Sequence, residues 1–339
     1  MTAIITVLCV IVIFGLIIFI HELGHFLTAK MFGVKVHEFA LGMGPKLFGK
    51  QKGDTLYSVR LIPMGGYVKM EGEDADSTDA AAFSNKKPWQ RFIILFAGAF
   101  MNLLLGLVLL ITLNAASPRL PQIPKMEVRS VVEGMGAQAA GIEVGDKILA
   151  IDGSRIHTQL DFNLALDQKE TVSVTVERNG GQHTLPVTLT QIDGYSYLGI
   201  SQATEEKHLG NLISYSFFEA FSIIKLTYQS FFGMFNGTVG VEQMSGPVGI
   251  VTEISNAAQS GFFDVMWLAL IISLNLGVVN LFPLPALDGG RIVFVLWEMI
   301  TKKKLNPEQE GMIHFIGFVI LILFMLYVTK NDIVRLFTR

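Results

Sequence analysis

The sequence predicts a polytopic α-helical membrane protein with four transmembrane helices, a membrane-associated β region and an inserted α+β domain. Three observations lead there. The 339 residues are 51% hydrophobic with mean hydropathy +0.49, more apolar than soluble globular chains usually are. Four runs without Asp, Glu, Lys or Arg approach or reach the ~20 residues needed to cross bilayer hydrocarbon. Residues 126–203 have a different character, with short alternating runs separated by Gly and Asp turns.

The four apolar runs are residues 1–20, 92–116, 265–287 and 311–329. The first has neither a positive leader nor a small-residue cleavage site, so it is expected to be a retained helix, not a signal peptide. A fifth apolar stretch, 211–235, is interrupted by Glu219 and Lys225 and rich in aromatic residues. It is expected to lie amphipathically at the interface, with Glu219 and Lys225 snorkelling to water. The expected layout is: 1–30, first transmembrane helix; 31–91, cytosolic membrane-associated β region; 92–117, second helix; 118–205, extracytoplasmic domain; 206–264, interfacial segment; 265–290, third helix; 291–311, cytosolic loop; 312–339, fourth helix and tail.

Short-loop charges set the expected orientation. Lys and Arg cluster in 31–91 and in Arg291, Lys302, Lys303 and Lys304, so both loops are read as cytosolic and the inserted domain as outside. Lys330, Arg335 and Arg339 fall on the side the rule disfavours. A net charge of −3 without a basic arm argues against nucleic-acid binding. The single cysteine, Cys9, excludes an internal disulfide framework and a cysteine zinc site.

His21-Glu22-Leu23-Gly24-His25 ends the first run. Polar groups at membrane depth are expensive and therefore point to function. On a helix the two imidazoles at i and i+4 share a face and can hold one metal, while the adjacent glutamate is free to move protons. A zinc hydrolase needs a third protein ligand and an open position. Asp288 is the best candidate, because Pro283 and Pro285 break the third span just before it, and irregular backbone at that depth must line a cavity or be buried in protein. Asp288 can also start the next helix, residues 290–300; the two roles are compatible. If 211–235 does not span, Asp288 arrives on the same side as the histidines.

HExxH at the end of the first span, "NLFPLPALDGG" at residues 280–290 and a soluble insert between them resemble the site-2 protease family of intramembrane zinc metalloproteases, specifically the bacterial RseP/RasP type with a single PDZ domain. "LGMGPKLFG", "LIPMGGYVKM" and "MSGPVGI" match stretches of that family, and "GAQAAGIEVGDKILAIDGSRI" resembles a PDZ domain. The resemblance implies that His21, His25 and Asp288 ligate Zn2+ with Glu22 as general base, and that Asn280 contacts the substrate backbone. It implies cleavage of transmembrane segments in single-span proteins already trimmed by an upstream site-1-type protease, with anti-sigma factors and remnant signal peptides as substrate classes. It also implies a multi-pass protein of a bacterial plasma membrane, active near the cytosolic face of the lipid bilayer. An unwound substrate needs backbone partners in a dry site. A β edge within 56–70, with Leu56, Tyr57, Ser58, Gly65, Gly66 and Tyr67, is expected to supply them by strand addition.

Asn275 is expected to bond between helices, and Asn102 is undecided between that role and the site. His37, His157, His183 and His208 are expected to be solvated, and His314 structural. Two competing readings stay open. One is a PDZ-containing membrane receptor with a structural metal site. The other is a metal transporter, which would need more polar residues in spans two and four than the sequence has.

Overall fold

A computed structural model describes residues 2–73, 77–238, 240 and 244–338, without the side chains of Thr2, Met64, Phe235, Pro307 and Leu336. Part of the acidic stretch 71–79 therefore lies outside the described residues. The chain folds as two compact units, one of residues 1–109 and 227–339, the other of 110–226.

In the first unit, α1 (Thr2–Met31) is followed by β1 (Val36–Lys52) and β2 (Thr55–Met70), and then by α2 (Pro88–Ala116), which begins here and ends in the second unit. Close approach between helices depends on small residues. A Cβ on Gly24 of α1 would lie 2.4 Å from the Ala97 carbonyl oxygen of α2. Ile94 and Leu95 of α2 join Ala29, Val36, Phe39, Val68 and Met70 in one buried cluster that ties α1, α2 and the β strands together. Lipid offers little hydrophobic drive between helices, so this intimate packing is what holds them.

β1 and β2 are long strands that fold back on each other. Leu56 to Val59 pair with Glu38–Leu41 on one side and with Phe48–Gln51 on the other. Gly66 to Met70 pair on one side only, with Leu41 back to Val36. The folded-back pair thus has four rungs, and the 66–70 segment forms one edge. The bend at Gly42 requires glycine: φ is 87° and a Cβ would sit 2.6 Å from the Ile62 carbonyl oxygen.

The later elements of this unit are the end of α5 (Leu209–Phe235), then α6 (Pro247–Ser260), α7 (Phe262–Asn280), α8 (Asp288–Thr301) and α9 (Pro307–Thr338). Among the described residues, Ala3–Met31, Pro88–Ala116, Phe262–Asn280 and Glu308–Arg335 are long and apolar enough to cross a membrane. The 211–235 stretch is not among these, although it forms one long helix. One expected boundary changes. The third helix stops at Asn280 and does not run to 290, because the Pro283–Pro285 turn intervenes. The helix expected at 290–300, within the segment 291–311, is α8, which begins at Asp288 and is ended by Lys302 in a left-handed conformation. The Gly246-Pro247 start of α6 is held by Asp332 of α9, whose carboxylate accepts the N–H groups of Gly246 (3.2 Å) and Gly249 (2.8 Å).

The second unit contains the α+β domain: β3 (Ile123–Val131), α3 (Gly136–Ala139), β4 (Lys147–Ile151), β5 (Ser154–Arg155), α4 (Gln159–Leu166), β6 (Thr171–Arg178), β7 (Gly181–Thr188), β8 (Thr190–Ile192), β9 (Tyr195–Tyr197) and β10 (Ile200–Glu205). The sheet order is β10-β3-β4-β6-β7, with β5 against β4, and its core is Ile148, Ile151, Val172, Val174, Val176 and Val187. Asn179 and Gly180, both at positive φ, make the hairpin turn that "NGG" predicts. Glu219 does not snorkel as expected: its carboxylate accepts from Asn114 Nδ2 at 2.8 Å, because an amide within reach satisfies it better than a long path to water.

Asp146 is buried and receives two bonds from Arg178 (2.7 and 2.6 Å) and one from the Glu143 N–H (2.9 Å). The Arg178 guanidinium holds its carboxyl below the usual range. This lowered value contributes stability that is present above about pH 3.9 and is lost as pH falls through the folded-state value. Arg178→Leu is expected to destabilise this domain by about 2–3 kcal/mol at pH 7, with the gap to wild type narrowing below about pH 4. Hydrogen exchange of β4 and β6 across a pH series measures both.

Candidate metal centre and active site

The histidines stand on an unbroken helix. Residues 2–31 contain no proline, so α1 continues through His21 and His25 with i→i+4 geometry. Asp288 arrives by a different route. After Asn280 the chain leaves α7, buries Phe282, and turns through Pro283 to Leu287. Gly289 and Gly290 permit that turn: a Cβ on Gly289 would lie 2.1 Å from the Phe282 carbonyl oxygen, and one on Gly290 would lie 2.4 Å from that of Leu284. Ala286 takes φ 74°, a costly conformation for a residue with a side chain, and its N–H donates to His314 Nδ1 at 2.9 Å. Asp288 is then the first residue of α8. Helix start and site residue coincide.

The structure brings His21, His25 and Asp288 together. His21 Nε2 lies 3.2 Å from His25 Nε2 and 3.2 Å from Asp288 Oδ2, and His25 Nε2 lies 3.3 Å from the same oxygen. Tetrahedral zinc with bonds of about 2.0–2.1 Å places its ligands about 3.3–3.4 Å apart, so the triangle has the right edge. Its electrostatics point the same way. His25 Nδ1 donates to the Ile94 carbonyl oxygen at 2.8 Å, which leaves a lone pair on Nε2 in the neutral ring. Asp288 Oδ2 is buried without a hydrogen bond among the described residues. Lone pairs converging in a dry place repel unless a cation lies between them.

Two features of α2 support this centre, and the sequence alone assigns neither to the site. Gly98 leaves room for the His25 ring, since a Cβ there would sit 2.2 Å from Nε2. Asn102 is fully buried with its amide nitrogen Nδ2 3.3 Å from His21 Nδ1. The small residues Ala97-Gly98-Ala99 are the only clue to the first.

Glu22 follows His21 on α1, and its side chain passes the backbone of Gly66: a Cβ on Gly66 would lie 3.1 Å from Glu22 Cγ. The open edge of the β pair, including Gly66 and Tyr67, thus runs beside the glutamate, with Gly65 at the preceding bend (φ 95°). Leu56, Tyr57 and Ser58 do not fit the expected role. Both of their edges are already paired, so no substrate strand can add there. Ser58 instead donates to Glu38 (2.6 Å), which also accepts from Arg60 (2.7 Å) and from the Tyr67 hydroxyl (2.7 Å). Burial pushes Glu38 up, but these three bonds outweigh it and hold the carboxyl below its usual value. Burial and Glu38 together push Tyr67 up to about 12.

Asn280 is the half-buried last residue of α7, and its side chain makes no hydrogen bond among the described residues. Asn275 accepts from Thr227 Oγ1 at 2.6 Å, a helix–helix bond as expected. His314 bonds the Ala286 N–H and packs edge-on to Phe294, also as expected. His37 is paired with Glu71 (2.6 Å) and His157 stacks on Phe218, so neither is merely solvated.

Comparison with known proteins identifies the assembly. The description "Peptidase family M50" matches residues 9–324. A provisionally named zinc metalloprotease of Fusobacterium nucleatum is 40% identical, covering 98% of this chain and 99% of that protein. "Zinc metalloprotease RasP" of Shouchella clausii is 32% identical over 98% of this chain and 100% of its own length, and the protein of that name in Geobacillus kaustophilus is 30% identical over 98% of each. Among solved structures, a Listeria innocua PDZ domain is 27% identical with TM-score 0.22, covering 25% of this chain and 99% of that domain. The chain belongs to peptidase family M50.

Gly98→Ala places a methyl group where His25 Nε2 sits, and is expected to weaken zinc binding at least tenfold. Gly15→Ala, where nothing lies within 4 Å, is the control and is expected to leave binding unchanged. Competition with a chromogenic chelator measures both.

Proposed function

We propose that this member of family M50 is a zinc-dependent intramembrane endopeptidase in which His21, His25 and Asp288 hold the metal and Glu22 moves the protons. The observation that carries this reading is the triangle of donor atoms, 3.2–3.3 Å on a side, at the end of an apolar helix. When bound, zinc supplies a Lewis acid for both the attacking water and the scissile carbonyl. Glu22 takes a proton from that water and returns it to the leaving amine. His25 keeps its donor nitrogen aimed by giving Nδ1–H to Ile94. A peptide bond within a helix is hidden by its own hydrogen bonds and side chains, so the substrate must be unwound locally. The open edge at Gly65, Gly66 and Tyr67 offers backbone groups to the exposed strand, and the Asn280 amide offers a donor and an acceptor.

The substrates on this reading are single-span membrane proteins shortened beforehand by a site-1-type protease, such as anti-sigma factors or remnant signal peptides. The charge pattern supports a multi-pass plasma-membrane protein with the active site toward the cytosol and the PDZ-like domain outside, acting as a filter on what approaches. The sequence and its bacterial relatives support this assignment together.

The decisive comparison is wild type against Glu22→Gln on a tagged single-span reporter in detergent, with cleavage and bound zinc measured together. The variant is expected to keep its zinc and lose cleavage by about 10²–10⁴-fold. Retained cleavage would sink the assignment of Glu22. Zinc without cleavage of any trimmed reporter in wild type would favour a receptor with a structural metal. Two glycines beside the cut site lower the cost of unwinding by about 2 kcal/mol, so such a reporter is expected to be cut at least tenfold faster than its alanine counterpart.

A further inference from the structure

We infer that Asn102 is the positioning residue for the metal ligand His21, holding its Nδ1 proton so that Nε2 is free to bind zinc. The inference rests on the metal reading above and extends it to a residue outside the motif.

The two histidines are braced differently. His25 gives its Nδ1–H to a backbone carbonyl, that of Ile94. Among the described residues no carbonyl serves His21 in that role; the atom at its Nδ1 is Nδ2 of the Asn102 side-chain amide, 3.3 Å away on α2. A helix carbonyl is held by the helix, whereas an amide must be held by its surroundings. Asn102 is fully buried, which confines its amide; separately, its backbone carbonyl accepts the Ser273 Oγ–H from α7 at 2.8 Å.

Proton placement then determines which end of the amide faces the ring. Ligation through Nε2 requires the proton on Nδ1. An Nδ1–H needs an acceptor, which Asn102 provides with Oδ1; the oxygen and nitrogen of an amide exchange places by a half-turn of its terminal torsion. The orientation in the structure, with Nδ2 donating to Nδ1, puts the proton on Nε2, where it blocks ligation. In that setting Oδ1 is also a buried acceptor without a partner among the described residues. The half-turn brings that oxygen to the imidazole proton.

The test compares three substitutions in the purified full-length protein. Asn102→Leu keeps the approximate volume and removes the acceptor. Asn102→Asp keeps an acceptor and removes every donor. Ser273→Ala loosens the same α2–α7 contact without touching His21. Zinc affinity is read by chelator competition, and the visible spectrum of the Co2+-substituted protein reports coordination independently of activity. Asn102→Leu is expected to weaken zinc 10–100-fold and to change the cobalt spectrum, while Asn102→Asp and Ser273→Ala stay within about threefold of wild type. Unchanged zinc affinity in Asn102→Leu overturns the inference. A loss in Asn102→Asp as large as in Asn102→Leu, with far-UV circular dichroism unchanged, also overturns it, since a donor role is the one aspartate cannot fill. Wild type without stoichiometric zinc overturns the metal reading together with this inference, whereas zinc-loaded wild type with an indifferent leucine variant overturns this inference alone.

Discussion

An unsatisfied polar atom in a dry interior costs several kcal/mol, and the arrangement around His21, His25 and Asp288 follows from that penalty. Three donor atoms meet at the end of an apolar helix, and each is either aimed at the common centre or braced from behind. The same pressure explains the rest of the unit. The Ala286 N–H, freed where the third span breaks, is taken up by His314. The N–H groups at the start of α6 are taken up by Asp332. Glu38 sits among the β strands because Ser58, Arg60 and Tyr67 answer it.

Helix α2 bears most of the geometric burden, although the two histidines stand on α1. It supplies the carbonyl for His25, the gap at Gly98 for the ring and the amide for His21, and its close contacts with α1 and α7 depend on Gly24, Gly106 and Gly277. A helix with almost no polar residues can thus determine where a metal sits, through what it leaves out as much as through what it contributes.

The readable parts of the sequence were those whose chemistry is local. HExxH declares itself by an i,i+4 spacing, and the broken span before Asp288 by two prolines. The hairpin of the soluble domain is written in Asn-Gly-Gly. What could not be read depends on partners distant in sequence. Whether Leu56 or Tyr67 lies on an edge is decided by a further rung of the folded-back pair, and an alternating pattern looks the same for an interior and an edge strand. Asn102 reads equally as an interhelical amide or a site residue until α1 is packed against it.

The strained turn before Asp288 has a consequence for how the protein is made. Its left-handed Ala286 is bonded by a histidine of α9, and Pro285 packs against Gly317 of the same helix. The two histidines of the motif are synthesised well before the aspartate and the helix that secures its turn. The set of donors is therefore completed across a long sequence separation, and only once α9 has packed on the turn before Asp288.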